Sequence, residues 1–328
     1  MSPEGILDRI RSLRALVVGD ICLDRWCTYA PGLAEPSRET GLPRVAVVRT
    51  EITAGGGGTV ANNCAALGAA RVAVLGVRGG DGHGYELGQA LARAGIDASL
   101  MIEAPVATFT YTKLLNSGSG EEDRGRIDYV NPDPLPAGAA RAVVEQLLAH
   151  AAGFDVILVS DQAETRHEGV VTSEVREALA RLGHPLVWVD SRMRAELFRG
   201  VLVKPNEREA QEACTRLGVS GYRALREVIG YPRLFVTHGD RGVLVLDGES
   251  ETWVSTRAVQ KPVDICGAGD SFSAGAALAL AAGATPVEAA RFGNLVTSIT
   301  IMKKGTGTAS PAEVMQAAAR IAEQGPHP

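Results

Sequence analysis

Short apolar runs alternate with longer amphipathic stretches along most of the chain. The apolar runs are rich in Val, Leu and Ile, which is typical of strands buried on both faces. The predicted strands of this kind cover residues 13–19, 71–77, 96–102, 156–160, 185–190, 201–204, 234–237 and 243–247. The predicted helices cover residues 3–13, 59–67, 85–94, 139–152, 169–182 and 207–217. This alternation predicts an α/β fold with a mostly parallel sheet and right-handed crossovers.

Three further β segments do not fit the alternation of strands and helices. Residues 44–52 are rich in β-branched side chains and are not followed by a helix. Residues 107–115 alternate Thr with larger side chains, and residues 124–130 return after a polar loop, which predicts a hairpin. We expect these segments, within about 25–54 and 105–131, to form a small sheet that stands off the main domain. One face of that sheet would cover a ligand or pack on a second subunit.

Polar residues follow several of the predicted strands. Because the carboxyl ends of parallel strands share one rim of a sheet, we expect these polar groups to converge at a ligand site. They are Asp24, Ser160, Asp161, Asp190, Asn206, Thr237, His238 and Gly239. A loop-capping role is the alternative for Asp24.

A tight glycine turn enters an apolar helix near the C-terminus. Residues 264–272 read Asp-Ile-Cys-Gly-Ala-Gly-Asp-Ser-Phe, and we expect the helix to begin near Asp270. Gly267 and Gly269 allow a sharp turn and close approach of a ligand, and a helix N-terminus favours an anion. A carboxylate beside a phosphate site is suited to take a proton from a hydroxyl that attacks phosphorus. The alternative is that Asp270 is only an N-cap and the glycines only make a turn.

A second glycine run precedes another helix. Four glycines at 55–58 lead into an Ala-rich helix that Gly68 ends. The glycines allow backbone contact with a ligand at a second helix N-terminus, whereas a flexible linker is the alternative.

The composition is that of an ordinary globular protein. The chain has 328 residues, of which 45% are hydrophobic, and a net charge of −5. A nucleic-acid surface needs clustered Lys and Arg, so we expect no nucleic-acid partner. The apolar runs are too short to span a bilayer, and the N-terminus lacks the apolar core of a secretion signal. Five scattered Cys residues fit a reduced compartment, so we expect a cytoplasmic protein without a membrane partner.

The order of motifs narrows the function. The chain lacks the P-loop motif and a Gly-x-Gly-x-x-Gly after its first strand. It carries instead Gly19 to Asp24, the glycines at 55–58, Lys-Pro-Asn-Glu-Arg-Glu at 204–209, Thr-His-Gly-Asp-Arg-Gly at 237–242 and the run at 264–272. In this order the motifs resemble those of the ribokinase/PfkB family of carbohydrate kinases, from about residue 14 to 322. The resemblance implies one ribokinase-like kinase domain over residues 1–328, with a three-layer α/β/α core and a small β-sheet lid.

The resemblance also implies use of ATP and Mg²⁺. Asp270 matches the base that takes the proton from a sugar hydroxyl, and Gly267, Ala268 and Gly269 match the anion hole for the transferring phosphoryl group. Asn206 and Glu209 match an element that organises Mg²⁺, largely through water. The residues matched to the nucleotide side are Lys204, Asn206, Thr237, Gly239, Gly242 and Asn294.

The acceptor side of the site is implied in the same way. Asp24, Gly55 and Gly56 match sugar contacts. The other acceptor-side candidates are Thr59, Lys113, Arg126, Asp161, Asp190 and Arg192. The three basic residues among them would hold a sugar phosphate, or are ordinary surface charges. Asp264 and Gly305 match positions near a monovalent-cation site, which would take K⁺, and the lid of this family often forms a homodimer contact.

Finer motifs resemble one branch of the family, the kinases of D-glycero-D-manno-heptose 7-phosphate. The segments that carry this resemblance are 19–25, 112–113, 126–128, 159–161 and 305–311. That kinase is also the first half of a bifunctional kinase and adenylyltransferase. No nucleotidyltransferase motif follows here, so we expect the kinase activity alone.

Departures from the branch fall on the acceptor side. Thr59 stands where these kinases usually carry Asn. Residues 160–165 read Ser-Asp-Gln-Ala-Glu-Thr where Ser-Asp-Tyr-x-Lys-Gly is usual, and Asp190 is followed by Ser-Arg where Pro-Lys is usual. Arg192 keeps the positive charge with a different geometry. These changes suggest a different or modified sugar, and the alternatives are a nucleoside or other small alcohol as acceptor, or a non-catalytic ligand-binding protein.

Overall fold

The structure is a computed structural model that describes residues 1–164, 167–257, 259 and 261–323. Thr165 of the altered 160–165 run lies outside these residues. The helices are α1 (Pro3–Ile10), α2 (Gly57–Ala66), α3 (Gly82–Arg93), α4 (Ala137–His150), α5 (Ser173–Arg181), α6 (Glu207–Leu217), α7 (Gly221–Ile229), α8 (Ala268–Ala281), α9 (Pro286–Thr300) and α10 (Pro311–Glu323).

The strands form one large sheet and two small ones. They are β1 (Arg14–Gly19), β2 (Ile21–Tyr29), β3 (Val47–Gly56), β4 (Arg71–Leu75), β5 (Val77–Gly79), β6 (Ile102–Ala104), β7 (Thr110–Asn116), β8 (Ile127–Tyr129), β9 (Val156–Asp161), β10 (Val187–Ser191), β11 (Leu202–Val203), β12 (Arg233–Thr237), β13 (Val243–Asp247) and β14 (Ser250–Val254). The large sheet has the order β14-β13-β12-β11-β10-β9-β1-β4. Its pairs from β4 to β12 are parallel, while β13 and β14 add an antiparallel edge.

Two apolar cores lie on opposite faces of the large sheet. Successive residues of β1 point to different cores. Ala15 and Val17 join the core that is covered by α1, α2, α3, α8, α9 and α10. Leu16 and Val18 join the core that is covered by α4, α5, α6 and α7. This alternation is the period of a strand buried on both faces. The predicted three-layer α/β/α architecture with a mostly parallel sheet is therefore confirmed.

The small sheet predicted beside the core is also present. Its order is β3-β2-β7-β8, with β2 antiparallel to β3 and parallel to β7, and with β7 and β8 forming the predicted hairpin. We call this four-stranded sheet the lid. Strand β2 was not predicted, because Gly19-Asp20 resembles the end of a strand. The chain instead continues after Asp20 into a nine-residue strand, so Asp24 lies in the lid and not in a loop beyond β1.

Several other boundaries differ from the prediction, including that of α8, which begins at Ala268, two residues before the expected start. The expected strand at 96–102 is wrong: only Ile102 belongs to a strand, and β6 pairs with β5 outside the large sheet. The cause is a local turn, in which Asp97 Oδ1 accepts the backbone N–H of Ser99 at 2.9 Å. The first two glycines of the 55–58 run belong to β3, and α2 begins at Gly57, two residues before the predicted start.

Candidate active site

The N-terminus of α8 forms an uncapped helix end. Gly267 is the N-cap residue in the left-handed conformation, with φ of 77°, and no side chain caps the helix. Asp270 therefore lies in the first turn and is not the N-cap, which rules out that alternative. A Cβ atom at Gly267 would lie 3.2 Å from Thr59 Cγ2 and 3.3 Å from Thr306 Cγ2. No side chain caps this helix start, and of the turn amides that of Ala268 donates to the backbone oxygen of Ile265 at 3.2 Å. A helix end without a side-chain cap suits an anion, as a phosphoryl site requires.

Thr59 connects the two glycine-rich helix starts. Its side chain is buried in the first turn of α2 and lies against Gly267 at the start of α8. Gly56, which precedes α2, has φ of 55°, and a Cβ there would lie 2.6 Å from the backbone oxygen of Asp20. The two helix starts therefore pack side by side, and a branched residue is accommodated where the related branch carries Asn.

Asp270 is a half-buried carboxylate with charged groups of both signs nearby. The pKa of Asp270 is raised to about 7, first by burial and then by the nearby Asp190 carboxylate, while Lys204 and Arg192 oppose the shift. A carboxylate with a pKa near neutral pH is a stronger base than an ordinary one, and still loses its proton at physiological pH.

Lys204 lies directly beneath the first turn of α8. Its buried ammonium group is 2.6 Å from Asp190 Oδ2, and a Cβ atom at Gly269 would lie 3.4 Å from Nζ. Ser273 Oγ donates a hydrogen bond to the same Asp190 oxygen at 3.0 Å. Asp190 thereby holds the positive charge of Lys204 in a fixed position beside the anion hole.

Asn206 and Glu209 form a reciprocal cap at the start of α6. Asn206 Oδ1 accepts the N–H of Glu209 at 2.9 Å, and Glu209 Oε2 accepts the N–H of Asn206 at 2.7 Å. The pKa of Glu209 is raised to about 7, first by burial and then by the Asp190 carboxylate, while Lys204 opposes the shift. The negative charges of Glu209 and Asp190 disfavour each other. A hydrated Mg²⁺ nearby would offset that repulsion, so the pair fits a magnesium site. Within the described residues, no three His, Cys, Asp or Glu side chains are placed to hold a metal ion directly.

The turn between β12 and β13 approaches the same rim. Gly239 has φ of 61° and Gly242 has φ of 118°, and a Cβ at Gly242 would lie 2.2 Å from the backbone oxygen of Val254. Thr237 ends β12, next to this turn. On α9, the buried Asn294 Nδ2 has no hydrogen-bond partner among the described residues. Helix α9 packs on β13 and β14, the strands that follow this turn. An unpaired buried donor there fits the polar edge of a nucleotide base.

The acceptor pocket opens between the lid and the start of α8. Its walls include Asp20, Cys22, Asp24, Arg25, Trp26, Gly56, Thr59, Phe109, Tyr111, Lys113, Arg126, Gln162, Arg192, Cys266, Gly267, Asp270 and Thr306. Burial raises the pKa of Asp24 to about 6, and Lys113 and Arg126 oppose the shift. A Cβ atom at Gly55 would lie 2.5 Å from the Asp24 carboxylate, so glycine is needed there for the carboxylate to keep its place.

Aromatic rings support the basic residues of the lid. Lys113 Nζ lies 4.5 Å from the centre of the Trp26 ring, and the Arg126 guanidinium lies 4.3 Å from the centre of the Tyr111 ring. Arg126 also pairs with Asp128, with Nε 2.7 Å from Oδ1. Cation–π contacts of this kind hold a basic side chain over a pocket without neutralising its charge.

Three of the predicted acceptor-side residues are not on the wall of this pocket. Gly55 lies against the Asp24 carboxylate, as described above. Asp161 is fully buried, accepts a hydrogen bond from Ser191 Oγ at 2.6 Å and lies 3.4 Å from Arg194 Nη1. Asp190 is engaged by Lys204 and Ser273, as described above. Both carboxylates contact protein groups that position the rim.

Asp264 and Gly305 are in direct contact. The N–H of Gly305 donates to Asp264 Oδ2 at 3.1 Å, and the N–H of Cys266 donates to Oδ1 at 2.9 Å. Gly305 has φ of 72°, and a Cβ there would lie 3.4 Å from the Trp26 ring. The predicted cation-site residues therefore lie together, behind the anion hole and under a lid tryptophan.

Asp20 is a site residue that sequence reasoning missed. Its buried carboxylate accepts the backbone N–H groups of Gln162, Ala163 and Val170 at 2.8–3.0 Å. It thereby fixes the loop after β9, which contributes Gln162 to the pocket. The only signal in the sequence is a charged residue directly after a buried strand.

The fold is shared with solved structures of sugar kinases. Phosphofructokinase-2 from Escherichia coli, in a crystal structure with potassium, superposes with a TM-score of 0.72 at 23% identity, over 94% of this chain and 99% of that one. Ribokinase from Arabidopsis thaliana, in a structure with ribose and ATP, superposes with a TM-score of 0.66 at 19% identity, over 94% and 99% of the two chains. These likenesses establish the ribokinase-like fold.

Sequence comparison gives the family. The model of the pfkB family carbohydrate kinases matches residues 15–313, so the chain belongs to this family and is a carbohydrate kinase. The bifunctional protein HldE of Pelobacter propionicus is 34% identical over 330 residues, which are 97% of this chain and 66% of that protein. HldE of Geobacter sulfurreducens is 34% identical over 324 residues, which are 95% of this chain and 64% of that protein. The chain thus spans just under two thirds of the length of these relatives.

Family membership fixes the coarse chemistry. Kinases of this family use ATP and Mg²⁺, and they phosphorylate sugars. No helix among the described residues is both long and apolar enough to cross a membrane.

Proposed function

We propose that the protein transfers the γ-phosphoryl group of ATP to a hydroxyl of a sugar or sugar phosphate, with Asp270 as general base. The observation that carries this proposal is the position of Asp270. It lies in the first turn of an uncapped helix and lines the acceptor pocket, and its pKa is raised to about 7. A base that belongs to both the phosphoryl site and the acceptor pocket is what in-line transfer requires.

The residues around Asp270 divide the work. Asp270 takes the proton of the acceptor hydroxyl as that oxygen attacks phosphorus. The amides of Gly267 and Gly269, together with Lys204, stabilise the negative charge on the transferring group, and that of Ala268 joins them when it leaves the backbone oxygen of Ile265. Mg²⁺, held near Asn206 and Glu209 through water, would supply further neutralisation of the phosphate oxygens.

The nucleotide would lie along the rim that β12 and α9 share. Gly239 presents backbone that a ligand can approach closely, since a Cβ there would meet no atom within 4 Å. Thr237 and Gly242 would flank the nucleotide, and Asn294 offers its unpaired amide to the base. K⁺ would bind near Asp264 and Gly305, behind the anion hole, where it would support the amides of the turn.

The acceptor would be a sugar phosphate similar to a heptose 7-phosphate. Asp24, Gly55, Gly56 and Thr59 would contact its hydroxyl groups. Three basic side chains, Lys113, Arg126 and Arg192, line the pocket and suit an anionic group. The likeness of most of the chain to HldE proteins supports the same choice.

The lid is proposed to form a homodimer contact. Apolar side chains of the lid and the segments that flank its strands are exposed to solvent, with Val48 at 54% and Ile127 at 48%. Burying such side chains against a second copy would remove apolar surface from water.

An acceptor panel tests the proposed reaction. The purified enzyme is incubated with ATP, Mg²⁺ and K⁺, and ADP release is measured with free sugars, sugar phosphates that include D-glycero-D-manno-heptose 7-phosphate, and nucleosides. We expect the largest kcat/KM with a sugar phosphate. Turnover confined to nucleosides would replace the acceptor assignment, and no transfer to any member of the panel would contradict the proposed function.

A further inference from the structure

Arg192 is held by two partners of different character at the wall of the acceptor pocket. Its Nε donates a hydrogen bond to Gln162 Oε1, and its Nη1 forms an ion pair with Glu164. Arginine has five N–H donors, so further donors remain for a ligand. One of the three basic groups that line the pocket is therefore already paired with an anion of the chain.

Of the two contacts of Arg192, the hydrogen bond to Gln162 is the more rigidly held. Gln162 is 7% exposed, and its backbone N–H donates to Asp20 Oδ2 at 2.8 Å. Asp20 in turn fixes the neighbouring Ala163, so the backbone that carries Gln162 is anchored. A buried side chain on an anchored backbone fixes the direction in which the guanidinium extends into the pocket.

The contact with Glu164 is the weak one. The Glu164 side chain is 63% exposed and the Arg192 side chain is 46% exposed. Exposed ion pairs contribute little free energy, because water solvates both charges and two side chains lose freedom. A phosphate group binds the planar guanidinium in bidentate fashion and with a larger charge, so it can displace a single carboxylate.

The charge at residue 164 is opposite to that in the branch the sequence resembles. The usual run Ser-Asp-Tyr-x-Lys-Gly has Lys where this chain has Glu164, and the usual Lys after Asp-Pro is Arg192 here. The two altered residues are in contact, so the negative charge at 164 is placed on the positive charge at 192.

We propose that Glu164 is an internal counter-ion that competes with the anionic group of the acceptor for Arg192, and that Gln162 is the residue that positions Arg192 for this exchange. The affinity for a phosphorylated acceptor is then set by the charge at position 164. This inference rests on the proposed function only in taking the acceptor to be anionic.

A charge series at position 164 tests the exchange without turnover. Binding of inorganic phosphate is measured by calorimetry in wild type, Glu164→Gln and Glu164→Lys, with the nucleotide side filled by Mg²⁺ and a non-hydrolysable ATP analogue. We expect Glu164→Gln to tighten phosphate binding about 2- to 5-fold, the range of an exposed ion pair, and Glu164→Lys to tighten it further. Glu177→Gln removes a similarly exposed pair, with Arg181 on α5, and should change nothing.

Two further variants locate the effect. In an Arg192→Leu background, the change at Glu164 should lose its effect on phosphate binding, because the competition is for Arg192. Gln162→Met keeps the size of the side chain but removes the acceptor oxygen. It should weaken phosphate binding and raise the acceptor KM, with a smaller change in kcat.

The outcomes separate this inference from the proposed reaction. No phosphate binding to the wild type, or unchanged or weaker binding in Glu164→Gln, would overturn the role of Glu164. A gain in Glu164→Gln that persists in the Arg192→Leu background would overturn it as well. The phosphate-binding series needs no turnover, so it still tests the role of Glu164 if the acceptor panel shows no transfer.

Discussion

At the scale of single residues, the proposed chemistry depends on carboxylates whose negative charge is disfavoured by burial. Asp270 and Glu209 both have pKa values raised to about 7, and for both the first cause is burial. Lys204 lies between Asp190 and the anion hole and limits these shifts. The site is therefore arranged to bind cations and phosphate, and its carboxylates are less stable as anions before those ligands arrive.

The raised pKa of Asp270 predicts a pH dependence. The base acts only when deprotonated, so kcat/KM for the acceptor should fall as the pH decreases through about 7, where an ordinary Asp would remain active to about pH 4. Initial rates between pH 5.5 and 8.5, at saturating ATP and Mg²⁺, measure this. A profile that is flat down to pH 5.5 would contradict the assignment.

Gly55 is predicted to be essential for the place of Asp24. A methyl group at 55 would lie 2.5 Å from the Asp24 carboxylate, so Gly55→Ala should displace that group. We expect the KM for the acceptor to rise at least tenfold with little change in the KM for ATP, and the free energy of unfolding to fall by about 1–3 kcal/mol. Steady-state kinetics and urea unfolding test both.

Gly82→Ala is the matched control for this substitution. A Cβ at Gly82 meets no atom within 4 Å, so in that variant the acceptor KM should not rise and the free energy of unfolding should not fall. Equal loss in both variants would show that the effect of Gly55→Ala is not specific to Asp24.

At the scale of elements, one buried carboxylate organises the loop after β9. Asp20→Ala would leave three backbone N–H groups, those of Gln162, Ala163 and Val170, without their acceptor. We expect the free energy of unfolding to fall by about 3 kcal/mol, because each unsatisfied buried donor is costly. Urea unfolding followed by circular dichroism tests this. Asp8→Ala, which removes an exposed partner of Arg11 on α1, should have almost no effect.

The elements that the sequence predicted well carry strong local signals. Helix α6 and strand β13 have the predicted bounds, since Asn206 and Gly218 cap the helix at its two ends and a glycine turn precedes the strand. Strand β2 was missed, because its pairing with β3 and β7 depends on segments far along the chain. The strand expected at 96–102 was wrong, because a turn at Asp97 outweighs the apolar pattern.

At the scale of the whole molecule, the topology predicts where the site lies, but not which of its charged groups pair or how deeply they are buried. Polar residues at the ends of parallel strands were expected to converge, and Asp190, Asn206 and Thr237 do lie along one rim, with Asn206 bridging to Thr237. The sequence does not reveal that Asp190 pairs with Lys204 or that Asp161 is fully buried. Those properties depend on distances between elements that are set only when the layers pack.

The lid contact between two subunits is also a property of the whole molecule. Ile127→Glu places a charge on the exposed apolar part of the lid and should shift a homodimer toward monomer. Leu148→Glu changes an equally exposed apolar side chain on α4 and should leave the assembly unchanged. Light scattering over a concentration series tests the prediction. A wild type that is monomeric at all concentrations would contradict the proposed dimer.

The central claim is that Asp270 is the base of a phosphoryl transfer reaction. Asp270→Asn keeps the size of the side chain and the helix start but removes the proton acceptor. The most direct test is single-turnover phosphoryl transfer to the best acceptor, with ATP binding measured on the same preparation. The account predicts that the rate falls by about 10²- to 10⁴-fold while the Kd for ATP stays within about threefold of wild type. A variant that retains near-wild-type turnover would show that another group takes the proton.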